Sequence, residues 1–345
     1  MRHPFRIREI AAQAGLSEAT VDRVLHNRPG VRASTAREVH QAIEDLHRQR
    51  SQLRIAGHAF MIDVVMQAPN RFSSAVRAAL EAELPTIQPA VIRCRFHFRE
   101  TGPGADLAET LDRIARRGTH GVILKAPDVP DITAAIGRVV AAGIPVVTLV
   151  TDVPDSPRSA YVGADNRSAG ATAAYLVDQW LGPEAGNVLV TLSRSVFRGE
   201  EEREIGFRAM MRKLSPDRSV VEISETDGLD ATMYDLVREA LDKDPDIKAV
   251  YSIGGGNAAI VDAFEEVRRR YSVFIAHDLD MDNKRLLPAG RLSAVLYHDL
   301  RRDMRRACYA ILRANRALPV PVGSAYSDLF VITPFNLPTG SPEST

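Results

Sequence analysis

The stretch "AGLSEATVDRVLHNRPGV", residues 14–31, contains the end of one short helix and the whole of a second. Gly15 predicts the end of the first helix, because glycine readily adopts the positive φ of a helix C-terminus. Ser17 is a typical N-cap, whose hydroxyl accepts a hydrogen bond from a free amide of the next helix. The apolar residues of that helix fall on one buried face: Val21, Val24 and Leu25. The pattern predicts two helices joined by a short turn.

Apolar residues on either side of this stretch repeat with helical spacing. Upstream they stand at positions i, i+3, i+4 and i+7: Ile7, Ile10, Ala11 and Ala14. Downstream of Ser34 they mark a third helix: Val39, Ile43 and Leu46. Three helices within the first fifty residues predict a small shared core. A helix pair with a glycine in its three-residue turn is the arrangement of a helix-turn-helix.

The solvent side of the second helix carries residues of the kind that read base edges: Glu18, Ala19, Asp22, Arg23 and His26. A generic helical hairpin attached to an enzyme is the alternative interpretation. The charge distribution favours nucleic acid. Residues 1–54 hold 10 Arg and no Lys against 6 acidic residues, whereas the rest of the chain holds 34 basic against 38 acidic residues. A basic segment before an acidic body is typical of a module that faces phosphates.

The segment "IREIAAQAGLSEATVDRVLHNRPGV" resembles the DNA-binding headpiece of the lac repressor (LacI/GalR) family. The family pattern has an Ala-x-x-Ala-Gly-hydrophobic-Ser opening, then Thr-Val-x-Arg-Val-Leu and a closing turn. The resemblance implies a recognition helix from about Ser17 to Asn27 in the major groove. It implies these DNA contacts: Arg8, Ser17, Glu18, Ala19, Thr20, Arg23, His26, Asn27 and Arg32. One position departs from the pattern, because Asp22 stands where the family usually has serine.

The segment after the third helix departs further from the family pattern. Members usually have a Tyr-x-Pro-Asn stretch and then a hinge helix that inserts a leucine into the minor groove. Here the chain reads "DLHRQRSQLRIAGHAFMIDVVM". We therefore predict a headpiece over residues 1–48 and a shortened hinge over 49–56. Leu53 is the one candidate for the wedge, and the missing Pro-Asn argues against a strong kink in the DNA.

The length, apolar runs and cysteines of the remaining chain limit the class of protein to which it can belong. Nearly 300 residues follow the headpiece, which predicts two lobes. The chain has no run of 18 apolar residues and no apolar leader, so we expect neither membrane insertion nor secretion. Cys94 and Cys308 are too few and too far apart in sequence for a disulfide framework or a zinc site. These features predict a cytoplasmic protein.

From residue 56 onward, strand-like runs alternate with helical patterns. The strand-like runs are "HAFMIDVVM", "AVIRCRFHF", "GVILK", "IPVVTLV", "GNVLVTL", "RSVVEIS", "KAVYSI", "SVFIAH" and "SAVLY". Between them lie helical patterns such as "DLAETLDRIARR" and "DITAAIGRVVAAG". This alternation predicts parallel sheets with helices on both faces, and the nearly continuous apolar runs are typical of buried parallel strands.

The stretch "TDVPDSPRSAYVGADNRSAG", residues 151–170, is rich in Asp, Pro, Ser and Gly and predicts a crossover between two lobes. Together the lobes resemble the type I periplasmic sugar-binding fold, and "AYVGADNRSAG" is the most specific local match. We predict an effector domain over residues 57–333, with crossovers near 151–165, 297–300 and 319–325, and a tail over 334–345. In that fold the ligand lies between the lobes, at the carboxyl ends of the strands.

One motif favours a different class of protein. Gly254, Gly256 and Ala259 form G-x-G-x-x-A directly after a strand, and Asp278 follows about twenty residues later, as in dinucleotide-binding enzymes. However, several strands of the same lobe precede this motif, whereas the fingerprint normally lies at the first strand-to-helix turn. We interpret the glycines as a close-approach turn that brings Asn257 to a ligand hydroxyl.

Candidate effector contacts stand at the predicted strand ends and in one long loop. "MQAPNRF" offers Gln67, Asn70, Arg71 and Phe72, although Phe72 also fits a core stripe. The loop "SRSVFRGEEEREIGF" contains Arg198, Glu201, Glu202 and Arg203, with the register open by a residue or two. Asp278 ends a buried strand, where a carboxylate needs a partner. His277 and His298 complete the predicted set.

No catalytic motif, metal site or cofactor site is evident in the sequence. We predict a ligand-responsive transcription regulator, more typical of a repressor than of an activator. It is expected to form a homodimer, to bind a pseudo-palindromic operator and to respond to a sugar or polyol. The alternatives are a solute-binding protein without regulation and an NAD(P)-dependent oxidoreductase.

Overall fold

A computed structural model describes most of the chain. It covers residues 5–26, 28–55, 59–88, 90–182, 186–193, 196–224, 230–318 and 326–338, with the backbone alone for residues 47–55. None of the helices in these ranges is long and apolar enough to cross a bilayer.

Three helices form the amino-terminal unit: α1 (Ile7–Ala14), α2 (Glu18–Leu25) and α3 (Ala33–Ile55). Gly15 ends α1 with a φ of 66°, and the Ser17 hydroxyl accepts a hydrogen bond of 3.2 Å from the Thr20 amide at the start of α2. The helices share one apolar core: Phe5, Ile10, Ala11, Val21, Val24, Val39 and Ala42. The predicted helix-turn-helix is confirmed.

The third helix is longer than the sequence pattern predicts. It runs to Ile55, past residue 48, where the headpiece is predicted to end, and through most of the predicted hinge at 49–56. Residues 47–55 contain neither glycine nor proline, so nothing interrupts the helical hydrogen bonds. Leu53 lies on this helix, and its side chain is outside the described part of the structure.

The first lobe contains a five-stranded parallel sheet. Its strands are β1 (Ala59–Gln67), β2 (Val91–Arg99), β3 (Gly121–Lys125), β4 (Val146–Leu149) and β5 (Ala160–Val162), in the order β2-β1-β3-β4-β5. The connecting helices are α4 (Asn70–Glu83), α5 (Gly104–Arg117) and α6 (Pro130–Ala141). Helices α5 and α6 cover one face of this sheet, and α4 packs against the other.

The second lobe contains a six-stranded sheet. Its strands are β6 (Asn187–Thr191), β7 (Val220–Ile223), β8 (Ile247–Ser252), β9 (Val273–His277), β10 (Ala294–Tyr297) and β11 (Phe330–Ile332), in the order β11-β10-β9-β8-β6-β7. Its helices are α7 (Asn166–Leu181), α8 (Arg198–Leu214), α9 (Asp230–Lys243), α10 (Asn257–Glu266) and α11 (Met281–Leu286). Only β11 is antiparallel to its neighbour. The two lobes confirm the predicted parallel α/β architecture.

The chain crosses between the lobes more than once. It leaves the first sheet after β5 and enters the second lobe at α7. After β10 it returns, because α12 (Leu300–Ala314) packs on the first lobe through Met304, Cys308 and Ile311. It then enters the second sheet again as β11. Several segments therefore connect the two lobes, and the predicted crossover near residues 319–325 lies outside the described residues.

Helices α7 and α8 lie in direct backbone contact. A Cβ added to Gly170 would lie 1.9 Å from the Arg203 carbonyl oxygen, and one added to Gly206 would lie 2.0 Å from that of Arg167. No heavy atom approaches another this closely without bonding, so both positions require glycine. This contact sets the position of Arg203, which points toward the space between the lobes.

Candidate functional site

The outer face of α2 presents most of the residues predicted to contact DNA. Glu18, Ala19, Arg23 and His26 are exposed, and Thr20 is half-buried beside the helix cap. The remaining predicted contacts, Arg8, Ser17 and Arg32, are also exposed, whereas Asn27 lies outside the described residues. A helix with one buried stripe and a free polar face fits the recognition position of a helix-turn-helix.

Asp22, which replaces the usual serine, pairs with Arg28 and contacts His26. Its carboxylate lies 3.1 Å from the guanidinium of Arg28 and 3.0 Å from Nδ1 of His26. The negative charge is therefore compensated inside the headpiece. Arg23, by contrast, has no ion pair or side-chain hydrogen bond within the described part of the chain, so its guanidinium is available to a base edge.

A cleft of about 770 Å³, a volume that includes space open to solvent, lies between the two lobes. The carboxyl ends of β1, β3 and β9 border it, as expected for ligand sites in open parallel sheets. Its polar lining residues come from both lobes: Gln67, Arg71, Glu100, Lys125, Thr151, Ser193, Glu200, Arg203, His277, Asp278 and Asp280. Phe72 and Phe197 supply aromatic surface.

Asp278 stands directly after β9, with its carboxylate facing the cleft. Its φ is 65°, an unusual value for a residue with a side chain. The Asn283 amide holds this turn by donating to the carbonyl oxygens of His277 and Asp278, at 2.8 and 2.7 Å. Burial by itself would raise the pKa of Asp278, but His298 and Arg203 outweigh it and hold that pKa below its usual range. The site therefore presents a fixed, ionised carboxylate.

His298 lies behind Asp278 and is almost completely buried, with 2% of its side chain exposed. Its Nδ1 is 2.6 Å from Asp303, a strong hydrogen bond, whereas its Nε2 is 3.4 Å from Asp278, which is an ion-pair distance. Burial lowers the pKa of His298, but the two carboxylates raise it to about 9. The imidazolium therefore anchors Asp278 to the start of α12, where the chain crosses between lobes.

This charge on His298 predicts a pH dependence of stability. Because its pKa is about 9 in the folded protein and about 6.5 when unfolded, its contribution is complete below pH 6.5 and is lost as pH rises through 9. We expect the free energy of unfolding to fall over this range, by about 3 kcal/mol at most. Denaturant titrations at pH 6.5 and 9.5 measure it. In His298→Gln the decline should be smaller; an equal decline would assign the effect to other groups.

Three polar side chains of the cleft can form further hydrogen bonds. Gln67 donates 3.1 Å to the Gly102 carbonyl, and its buried Oε1 has no partner among the described residues. Lys125 Nζ donates 3.3 Å to the Gln67 carbonyl and lies 4.3 Å from the Phe197 ring centroid. Arg203 donates its Nε–H to Asn166, so its two terminal nitrogens can still donate to a ligand. Donors and acceptors thus alternate around an aromatic surface.

Arg71 joins the two lobes at the edge of the cleft. Its Nε lies 3.2 Å from Asp280, and its Nη1 lies 3.7 Å from Asp230, both in the second lobe. The guanidinium also covers Gly255, where an added Cβ would lie 2.4 Å from Nη2. A backbone hydrogen bond of 2.7 Å from Asp128 to Val196 is a second contact between the lobes. The lobes are closed on each other around the site.

The structure brings together half of the predicted effector contacts. Six of the twelve candidates line the cleft, namely Gln67, Arg71, Phe72, Arg203, His277 and Asp278, and His298 supports Asp278 from behind. Five others lie elsewhere. Asn70 is exposed and Asn257 is buried against Asn283. Arg198 pairs with Glu201 at 3.2 Å and with Glu202 at 2.8 Å, beside a separate groove.

Sequence reasoning missed Lys125, Glu200 and Asp280 in this site. Lys125 could have been found, because it is a charged residue at the end of the apolar run "GVILK". Asp278 was predicted from the same signal, a charge at the end of a buried strand. Arg203 was one of four candidates in its loop. It lies on α8, which begins at Arg198, and the helix directs it toward the cleft. Glu200 carried no such signal.

The glycines of the G-x-G-x-x-A motif act as a close-approach turn. A Cβ on Gly254 would lie 2.3 Å from the Ser193 amide nitrogen, and Gly256 begins α10 with a φ of 75°. Their strand, β8, is the third of its lobe along the chain. Asn257, predicted to reach the ligand, instead donates 2.8 Å to the buried Asn283.

Family models match both parts of the chain. Residues 6–49 match bacterial regulatory proteins of the lacI family, and residues 62–315 match the periplasmic binding protein domain. The chain belongs to the periplasmic binding protein domain family and carries a DNA-binding domain of the lacI family.

Curated relatives of this lacI-family regulator are transcription factors. It is 27% identical over 261 residues to the HTH-type transcriptional regulator MalR of Streptomyces coelicolor, covering 74% of this chain and 67% of MalR. It is 25% identical over 268 residues to an HTH-type transcriptional regulator of Streptomyces limosus, covering 76% of this chain and 68% of the relative. With its lacI-family DNA-binding domain the chain is a DNA-binding transcription regulator, and these relatives give the oxidoreductase alternative no support.

Solved structures resemble the two lobes of the lacI-family regulator. GanP, a glucose-galactose binding protein from Geobacillus stearothermophilus, has a TM-score of 0.72 at 21% identity and covers 81% of this chain and 99% of its own. A solute binding protein from Burkholderia graminis, in complex with D-arabinose, has a TM-score of 0.70 at 18% identity and covers 81% of this chain and 96% of its own. These likenesses establish the periplasmic-binding-protein fold.

Proposed function

We propose that this regulator acts as a cytoplasmic repressor, which binds a pseudo-palindromic operator as a homodimer and responds to a sugar or polyol in the cleft. The free polar face of α2 supports the DNA part. The domain division predicted from sequence is part of the proposal, with α3 extending through the predicted hinge. Two-fold symmetry follows from the usual match between dimeric helix-turn-helix proteins and their half-sites.

The effector class rests on one observation: the buried Oε1 of Gln67, which has no partner among the described residues, lies in a residue of the same cleft as the ionised Asp278. A buried acceptor without a donor costs about 1–3 kcal/mol. Hydroxyl groups can donate to both oxygens and accept from Lys125 and Arg203. The aromatic faces of Phe72 and Phe197 suit the apolar face of a sugar ring. The carbohydrates named for the two structural relatives are of the same class.

A ligand screen tests the effector class directly. Addition of neutral sugars and polyols, one at a time, should raise the unfolding temperature for at least one compound, because a ligand that binds only the folded state stabilises it. That compound should also change operator affinity in a gel-shift assay, since a regulator must couple the two sites. Stabilisation without any change in operator affinity would favour a solute-binding protein without regulation.

Arg23→Ala tests the recognition helix. We expect about 1–3 kcal/mol weaker binding to an operator selected from random DNA, because a bidentate contact between arginine and guanine contributes that much. Fluorescence anisotropy at fixed salt measures the loss. Arg212→Ala, which removes the same charge from an exposed site on α8, should bind like the parent. Equal operator affinity of Arg23→Ala and the parent would contradict the assignment.

A further inference from the structure

The amino-terminal edge of the first sheet is a basic surface. Strands β1, β2 and β3 are parallel, so their first residues lie at one edge, opposite the cleft. We call this the headpiece-side edge, because the headpiece joins the lobe there. Four arginines lie at it: Arg93 and Arg95 in the first half of β2, and Arg116 and Arg117 in the last turn of α5.

Acidic residues are few at this edge: the last turn of α4 contributes Glu81 and also Glu83, which is buried against Arg301 and Arg305. The connections that lead into β2, β3 and β4, residues 84–90, 118–120 and 142–145, contain no Asp or Glu. Asp63 is the carboxylate near these arginines, and it is completely buried. It accepts hydrogen bonds from Arg95 at 2.8 Å and Arg117 at 2.7 Å. One buried negative charge is therefore shared between two partly exposed positive ones.

Arg93 and Arg116 have no acidic partner. Both are exposed, and neither makes an ion pair or side-chain hydrogen bond within the residues described. Arg116 also lies favourably at the carboxyl end of a helix, where the dipole attracts cations. That effect does not apply to Arg93, which stands on a strand with its Cα opposite Met61. At Arg93 and Arg116 the edge therefore carries positive charge that no ion pair within the described residues neutralises.

This edge lies within a short linker of the end of α3, the last helix of the amino-terminal unit. Three residues separate Ile55, the last residue of α3, from Ala59, the first of β1. Their Cα atoms can be at most about 14 Å apart, given about 3.6 Å for each residue. The end of α3 is itself basic, since residues 47–55 contain Arg48, Arg50 and Arg54 and no acid. Positive charge thus continues from the headpiece to the lobe.

We propose that the headpiece-side edge is a second DNA-contact surface, in which Arg93 and Arg116 bind backbone phosphates beside the headpiece. This inference rests on operator binding through α2. Contacts to phosphates position a protein on DNA but do not read its sequence. The surface therefore adds affinity that depends on salt, equally for operator and for unrelated DNA.

The double variant Arg93→Gln with Arg116→Gln, in the full chain, tests this surface. Each lost phosphate contact should reduce the slope of log Kd against log salt by about 0.9. We expect a decrease of about 1.8 per protomer, with the same decrease on operator and on random-sequence DNA. Arg212→Gln with Lys213→Gln is the matched control, because it removes the same charge from exposed positions on α8 of the other lobe.

Two results would overturn the proposal. The slope could stay at the parental value in the Arg93 and Arg116 variant, or it could decrease equally in the control, which would indicate a general effect of net charge. A failure of the recognition helix gives a different result, because Arg23→Ala would then leave the preference for operator over random DNA unchanged. The two tests therefore separate the surface from the headpiece assignment.

Discussion

Replacing Asp278 with alanine should abolish the response to effector while operator binding persists. The carboxylate is ionised, paired with His298 and directed into the cleft, and Asn283 holds its turn through the Asp278 backbone carbonyl. Loss of a buried charged partner should weaken effector binding at least about tenfold. The headpiece has its own core, so the variant should still bind operator. Titration calorimetry with the effector found by the screen and gel shifts with and without it measure both effects.

The matched control is Asp282→Ala, four residues further on. It removes the same charge from a side chain that lies outside the cleft lining and is 3.8 Å from Arg285. It should bind effector and respond like the parent. If Asp278→Ala also binds and responds normally, Asp278 is structural and the effector site lies elsewhere. Uncoupling of the two sites is the result expected for allostery, since a ligand acts only through its different affinities for two states.

Gly170→Ala should destabilise the second lobe by about 3 kcal/mol or more. The new Cβ would lie 1.9 Å from the Arg203 carbonyl oxygen, so α7 and α8 would have to separate. The atom that the new Cβ would meet belongs to the backbone, which cannot move aside as a flexible side chain can. We therefore expect a loss of stability at the upper end of those caused by overpacking. Because α8 carries Arg203 into the cleft, effector binding should weaken as well. Denaturant unfolding measures the loss of stability.

Gly137→Ala is the control for this prediction. Gly137 lies inside α6, and an added Cβ would meet no atom within 4 Å. Alanine is the better helix former by about 1 kcal/mol, so this variant should equal or exceed the parent in stability. Similar stabilities for the two alanine variants would show that α7 and α8 can separate at little cost, and that the close contact is not essential.

The headpiece could be predicted almost completely from sequence. Gly15 and Ser17 mark helix ends because the groups they satisfy lie within a few residues, and the Ser17 cap forms as expected with Thr20. Alternating strand and helix patterns likewise predicted both lobes. The end of α3 was the exception. Its continuation to Ile55 follows from the absence of helix breakers, whereas the departure from the family pattern had led us to predict a shortened hinge there.

Only half of the predicted effector contacts lie in the cleft, because that assembly depends on residues far apart in sequence. Asn257 and Arg198 looked equivalent to Gln67 as polar groups near strand ends. The fold buries Asn257 against Asn283 and pairs Arg198 with Glu201 and Glu202. Which polar group is engaged by a neighbour inside the fold cannot be read from spacing along the chain.

The sequence by itself determined the class of fold, the recognition helix and the position of Asp278, since helix caps, apolar periodicity and a charge at a strand end are local signals. Tertiary structure alone decided that Lys125 and Arg203 join Asp278 in one cleft. It also decided that Arg71 joins the lobes through Asp280, more than 200 residues away. Hydrogen bonds and ion pairs act over a few ångströms, so they depend on which elements meet after the sheets have formed.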